Sequence, residues 1–128
     1  MLHSRSLNRT ASVLSRHVAA VQGGYFLISG CWPLVSLSSF LAVTGPKTDV
    51  WLVHTVGLLL MVIGLVLVSA SLRRRADPLS ALLGGGTAAV LIGIEAVYVF
   101  RGVIGPIYLA DSAVQGCFLL AWLRRLWR

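Results

Sequence analysis

The sequence predicts an all-α membrane protein of four transmembrane helices, arranged as two similar helical hairpins. Three observations carry that prediction. The 128-residue chain is 57% hydrophobic and 12% charged, with a mean hydropathy of +0.86, where soluble domains run near a quarter charged. Four stretches are apolar over about the 20 residues that a helix needs to cross a bilayer. A short pattern then recurs at an offset of 60 residues. This composition excludes an ordinary soluble enzyme, and a disordered chain could not be so rich in Leu, Val and Ile.

Taken in order, residues 1–17 are rich in Arg and Ser and free of acids, with Leu7, Ala11, Leu14 and Val18 on one helical stripe. They read as a basic cytoplasmic segment that orients the first span, ahead of a targeting segment or a basic interfacial helix. No A-x-A site closes the first apolar run, so a cleaved signal peptide is not expected. The first span, 18–38, has no charge. Pro33 within it removes a hydrogen bond to the Ser29 carbonyl, which predicts a kink near the span's end. The second span, 50–71, carries only His54; the third, 79–100, only Glu95; the fourth and shortest, 106–123, only Asp111. Backbone groups in hydrocarbon must be satisfied internally, so these segments should be helices. Little remains for anything else, and residues 1–128 read as a single membrane domain.

The basic residues set the orientation. Arg5, Arg9 and Arg16 precede the first span, Arg73, Arg74 and Arg75 follow the second, and Arg124, Arg125 and Arg128 follow the fourth. The other two connections hold only Lys47 and Arg101. Nine basic residues against two is a strong positive-inside bias, which predicts an inner-membrane protein with both termini cytoplasmic. With the acids included, the net charge of +7 divides into +8 inside and −1 outside. It therefore reports topology, and no nucleic-acid partner is expected. Trp32, Trp51, Tyr98 and Tyr108 fall near the predicted outer boundary and Trp122 and Trp127 near the inner one, as amphipathic rings prefer.

The recurring pattern is F-x-x-V-x-G-P: FLAVTGP at 40–46 and FRGVIGP at 100–106. After an insert, Lys47-Thr48-Asp49, the copies realign as VWLVHTV (50–56) and IYLADSA (107–113), with five identities over the 14 aligned positions. Each hairpin would then consist of a span, an outer turn (Gly45-Pro46 or Gly105-Pro106), an interfacial aromatic and a second span. Both copies run the same way, so the repeat is parallel, related by an axis along the membrane normal. Gly-Pro turns are common, but the matching aromatic-x-x-ionisable step beyond them argues against chance.

The repeat pairs His54 with Asp111, each about one turn inside the outer boundary. Glu95 lies at similar depth, six residues before Arg101. Ionisable groups in hydrocarbon cost about 2.5–3.5 kcal/mol at the bilayer centre, so they face the bundle interior and have a partner or a task. Helical spacing groups His54, Gly57, Met61 and Gly64 on one face, Gly84, Ala88, Leu91 and Glu95 on another, and Asp111 with Gln115 on a third, Ser112 adjacent. The candidate site is an outward-facing polar pocket of His54, Glu95, Arg101, Asp111 and Gln115, with His54 the member that titrates near neutral pH. It could bind a small polar ligand, relay protons or coordinate a metal. Set against it is a purely structural role, in which these groups hydrogen-bond one another at about 1 kcal/mol each. No catalytic set, metal site or cofactor is expected. One histidine cannot hold two haems, Gly84-Gly85-Gly86 lacks the G-K-[ST] of a phosphate cradle, and no G-x-S-x-G elbow is present. Gly85, Ala89 and Gly93 read instead as a small-residue packing stripe. Cys31 and Cys117 are isolated, without the C-x-x-C of a dithiol redox site, and read as small buried hydrophobes.

The run TGPKTDVWLVHTVG (44–57), with GYFLISGCWPLVSLSSF (24–40) and VYVFRGVIGPIYLADS (97–112), resembles a family of small uncharacterised bacterial four-helix membrane proteins. The resemblance implies four helices and a bacterial inner membrane; it assigns no activity. The expected function is that of a non-enzymatic, membrane-embedded binding or accessory subunit, associating with itself or with a larger membrane complex. The alternative is a small-solute or proton-coupled carrier using the outer polar cluster. Small multidrug-type exporters of this length carry their membrane Glu in the first span, whereas here it is in the third. A membrane enzyme with a His54/Glu95/Asp111 acid–base set ranks third.

Overall fold

Among the described residues the chain forms five helices and no strand: α1 (Leu2–Val35), α2 (Leu37–Thr44), α3 (Val50–Leu72), α4 (Pro78–Phe100) and α5 (Ile107–Trp127). This computed structural model describes residues 2–74 and 77–127, without the side chains of 2–4, 7, 8, 10–12, 126 and 127. Arg75 and Arg128 lie outside the described residues, as do the side chains of Leu7, Ala11 and Trp127.

Three helical stretches are long and apolar enough to cross a membrane: Val13–Val35 within α1, Val50–Leu72 and Pro78–Phe100. Large apolar side chains cover their outward faces, among them Ile28, Leu59, Val62, Leu82, Val90 and Ile94. A water-facing surface does not carry apolar cover this continuous, and the arrangement is compatible with a multi-pass membrane protein. The fourth predicted span is helical within α5, but Asp111 and Gln115 dilute it, and it is not among the three.

At its N-terminus the first predicted span differs from the expectation. Residues 2–17 are not a separate flank: they continue as helix into the span, giving α1 34 residues, about 51 Å at 1.5 Å per residue. At the other end α1 stops at Val35 rather than at residue 38. Ser36 leaves helical geometry (φ −144°, ψ 81°) and the chain restarts as α2. The turn from Ser29 to Pro33, where a kink is expected, stays helical, and the interruption comes three residues after the proline. Ser39 ties it together: its hydroxyl donates to Ser36 Oγ at 2.7 Å and receives Trp32 Nε1–H at 2.9 Å.

The longest contact in the molecule is the antiparallel pairing of α1 with α3. Its register can be read from glycines seven residues apart. A Cβ on Gly64 would stand 2.6 Å from the Gly23 carbonyl, and one on Gly57 the same distance from the Gly30 carbonyl. Only glycine lets two helix backbones approach so closely. One further heptad along, Ser71 Oγ donates to the Arg16 carbonyl at 2.9 Å while Arg16 Nε donates to the Ser71 carbonyl at 3.2 Å. α4 pairs with α5, antiparallel, and is capped at its start by Asp77, whose carboxylate accepts Ser80 N–H at 3.0 Å ahead of Pro78 in the first turn. That hydrogen bond holds the Asp77 carboxyl below the usual carboxylate range.

Both pairs pack onto a core of Val18, Ala19, Phe26, Leu67, Ala81 and Trp122. Trp122 is thus not an interfacial anchor as the belt pattern predicted; it is 1% exposed, and its indole N–H donates to Gln22 Oε1 at 2.8 Å. Gln22 Nε2 in turn donates to the Gly84 carbonyl at 2.9 Å. This buried, satisfied chain links α1, α4 and α5 across the half of the molecule nearer Arg73 and Arg124. Of the predicted small-residue stripe only Gly85 packs, against Trp122 and Leu119, while Gly93 has nothing within 4 Å of where a Cβ would stand and Ala89 is exposed. The buried face of α4 is the other one, Gly84, Ala88 and Glu95.

Candidate functional site

At the end opposite Arg73 and Arg124, a cavity of about 480 Å³ is lined by all four long helices and by α2. Beyond the break at Ser36, Phe40, Val43 and Thr44 of α2 and Lys47 after it supply part of the cavity's lining. Most of the wall is apolar or aromatic, including Phe26, Trp32, Leu60, Leu91 and Val114.

The polar groups come from three helix faces. On α5 the inward stripe is Asp111, Gln115, Phe118 and Trp122, the i, i+4, i+7, i+11 spacing of one helical face. Its first half enters the cavity and its second half enters the core. On α4 the stripe Gly84, Ala88, Leu91 ends at Glu95, which is 5% exposed. On α1, Gln22, Tyr25 and Ser29 share a face; Gln22 belongs to the core, while Tyr25 and Ser29 line the cavity.

These groups form one connected cluster. The Tyr25 hydroxyl donates to Asp111 Oδ1, and Ser112 Oγ donates to Glu95 Oε2 at 2.6 Å. The two carboxyl groups lie close enough to interact directly. Gln115 is 1% exposed, with Nε2 3.5 Å from both Asp111 oxygens, the outer limit of a hydrogen bond, and Oε1 has no partner among the described residues. The Tyr25 ring is braced edge-on by Phe118 at 5.7 Å. At the mouth, Lys47 Nζ donates to Thr44 Oγ1 at 3.1 Å and stands 5.5 Å and 5.2 Å from the centres of the Phe40 and Tyr108 rings, within cation–π range.

Of the five residues that the sequence singled out, Glu95, Asp111 and Gln115 line one cavity; His54 and Arg101 do not. His54 is half-buried near the start of α3, whose Val53, Val56 and Gly57 supply that helix's share of the wall. Arg101 is exposed and ends α4 as its cap, its backbone N–H bonded to the Val97 carbonyl at 3.0 Å. The aligned pair His54 and Asp111 therefore does not meet in one site. Tyr25, Ser29, Ser112 and Lys47 complete the cavity cluster. The first two were legible as polar residues sharing one face with Gln22 in an otherwise apolar span; Lys47 was legible as the insert that distinguishes the two repeat copies.

The two Gly-Pro turns are neighbours at this end, a Cβ on Gly105 standing 3.7 Å from the Thr44 carbonyl, but their geometries differ. Gly45 has φ +98°; in the second connection the positive φ, +71°, falls on Gly102. Among the described residues no three His, Cys, Asp or Glu side chains gather as a metal-binding group, and Cys117 is exposed. No protein-family profile, curated protein or solved structure matches the chain.

Proposed function

We propose that this chain is a four-span inner-membrane protein of two similar hairpins, with both termini cytoplasmic, and that it works as a non-enzymatic binding subunit, not as a catalyst. In this reading α5 is the fourth span: it packs along α4 with Asp111 and Gln115 turned inward, which is how a helix carrying such residues tolerates a bilayer. The charge asymmetry supports the orientation, and the pairings of α1 with α3 and of α4 with α5 suit the repeat, as does the resemblance to small four-helix bacterial membrane proteins. α1 is longer than the about 30 Å of hydrocarbon, so its basic start, with Arg5 and Arg9, would stand in the cytoplasm.

The observation that carries the binding role is the cavity. It is within the roughly 300–1,000 Å³ usual for small-molecule sites, mostly apolar, with a few convergent polar groups. It is sealed at its inner end by the Phe26–Leu67–Trp122 core and the Gln22 link. A carrier, the alternative, would have to open that satisfied seal in every cycle. A self-associated form or a larger membrane complex is part of the same reading, since Gly86 and Gly93 leave small-residue gaps on α4's apolar outer face where another helix could approach. Native mass spectrometry of detergent-extracted protein tests it. A retained small-molecule adduct, lost in Gln115→Leu, is expected; a clean apo monomer with no partner would count against it. If Glu95→Gln instead abolished proton-coupled uptake into proteoliposomes, the carrier would replace the binding subunit.

A further inference from the structure

Accepting the cavity as a binding site, we infer that its ligand is an amphipathic organic ammonium: a protonated amine on an aromatic or branched apolar body. The floor of the cavity presents acceptors and no compensating charge. Glu95 and Asp111 contribute two carboxyl groups that interact with each other, and among the described residues the other donors to them are Ser112, Tyr25 and Gln115, none of them a cation. Gln115 adds an independent sign. It is 1% exposed and one of the residues around the cavity, and among the described residues nothing donates to its buried amide oxygen. Buried acceptors without a donor are costly and are filled by a ligand or water. A group with two or three N–H donors and one positive charge satisfies Gln115 Oε1 and both carboxyls together, which no neutral alcohol or anion does.

The wall above the floor fits the other end of such a molecule. Phe26, Trp32, Leu60 and Leu91 offer apolar and aromatic surface. The mouth already holds an ammonium between rings, since Lys47 Nζ faces Phe40 and Tyr108. That charge is committed to Thr44 and the last carbonyls of α2, where a helix C-terminus favours a cation. Lys47 therefore lies at the rim and leaves the acidic floor to the ligand.

Three probes of one shape and different charge separate this inference from the reading beneath it: 1-naphthylmethylamine, 1-naphthalenemethanol and 1-naphthoate. Binding is measured by equilibrium dialysis at neutral pH against the protein in phosphatidylcholine nanodiscs, with empty nanodiscs subtracting partition into lipid. The amine should bind saturably, one per chain, and at least tenfold more tightly than the alcohol, with naphthoate weaker still. Glu95→Gln and Gln115→Leu should each weaken the amine at least fivefold, and His54→Gln should leave it unchanged. Alcohol or naphthoate binding as tightly as the amine would overturn the cation assignment and keep the binding cavity. No saturable binding of any probe would remove both. Where Glu95→Gln does not give a monodisperse protein, Asp111→Asn carries the same test, and unchanged amine affinity in either variant refutes the inference.

Discussion

Gly84 has no side chain because Gln22 and Trp122 occupy the space that one would fill: a Cβ there would press on the amide oxygen of Gln22 and stand 2.9 Å from Trp122 Cε2. Gly84→Ala should therefore break the Trp122–Gln22–Gly84 chain. It should destabilise the protein by about 1–3 kcal/mol, the cost of leaving a buried donor or acceptor unmade, read as a lower midpoint of thermal unfolding in detergent. Trp122→Phe should lose a similar amount by stranding Gln22 Oε1. Gly93→Ala is the contrast, for nothing lies within 4 Å of the added methyl; unfolding should be unchanged or raised, since alanine is the better helix former by up to about 1 kcal/mol. None of this was visible along the chain. Gln22 is a single amide in an apolar run and Trp122 a single indole near a helix end. Their meeting depends on a sequence separation of 100 residues being closed in space.

At the scale of helices, the α1–α3 seam rests on Gly23, Gly30, Gly57 and Gly64, where backbone meets backbone. Gly64→Val should force the pair apart at a cost of about 1–3 kcal/mol, as overpacking does, while Gly24→Val, with nothing within 4 Å of its Cβ, should not. Parallel thermal unfolding of the two variants checks this. The spacing of Gly57, Met61 and Gly64 on one face of the second span was legible, and that face does meet α1. It could not say that His54, one turn further along the same helix, is not among the residues that line the cavity. α4 adds a pH dependence. The native state holds the Asp77 carboxyl below its ordinary value of 3.8, so the cap stabilises the fold fully above that value and is lost as pH falls through the lowered one. The stability gap between wild type and Asp77→Ala should accordingly be constant from neutral pH to about 5 and close below 4; a gap that widened on acidification would contradict the cap.

For the whole molecule, the proposed orientation makes a direct prediction. A reporter active only outside the cytoplasm should be silent when fused after residue 128 and active when inserted at 47–49; the reverse pattern would invert the topology. The sequence by itself determined that the chain is helical, that it has stretches long and apolar enough to cross a membrane, and which few polar residues are out of place there. These follow from composition and from the length of apolar runs, which are properties of the chain one residue at a time. The tertiary structure decided which polar residues share a site. It joined Glu95, Asp111 and Gln115 to Tyr25 and Lys47, left His54 and Arg101 aside, and buried Trp122. In water, a helix's single apolar stripe announces the side that faces its neighbours. In lipid, a helix is apolar nearly all round, so its rotation and register are set by close packing and hydrogen bonds between helices. Those are properties of pairs of helices, and they exist only once the pairs have formed.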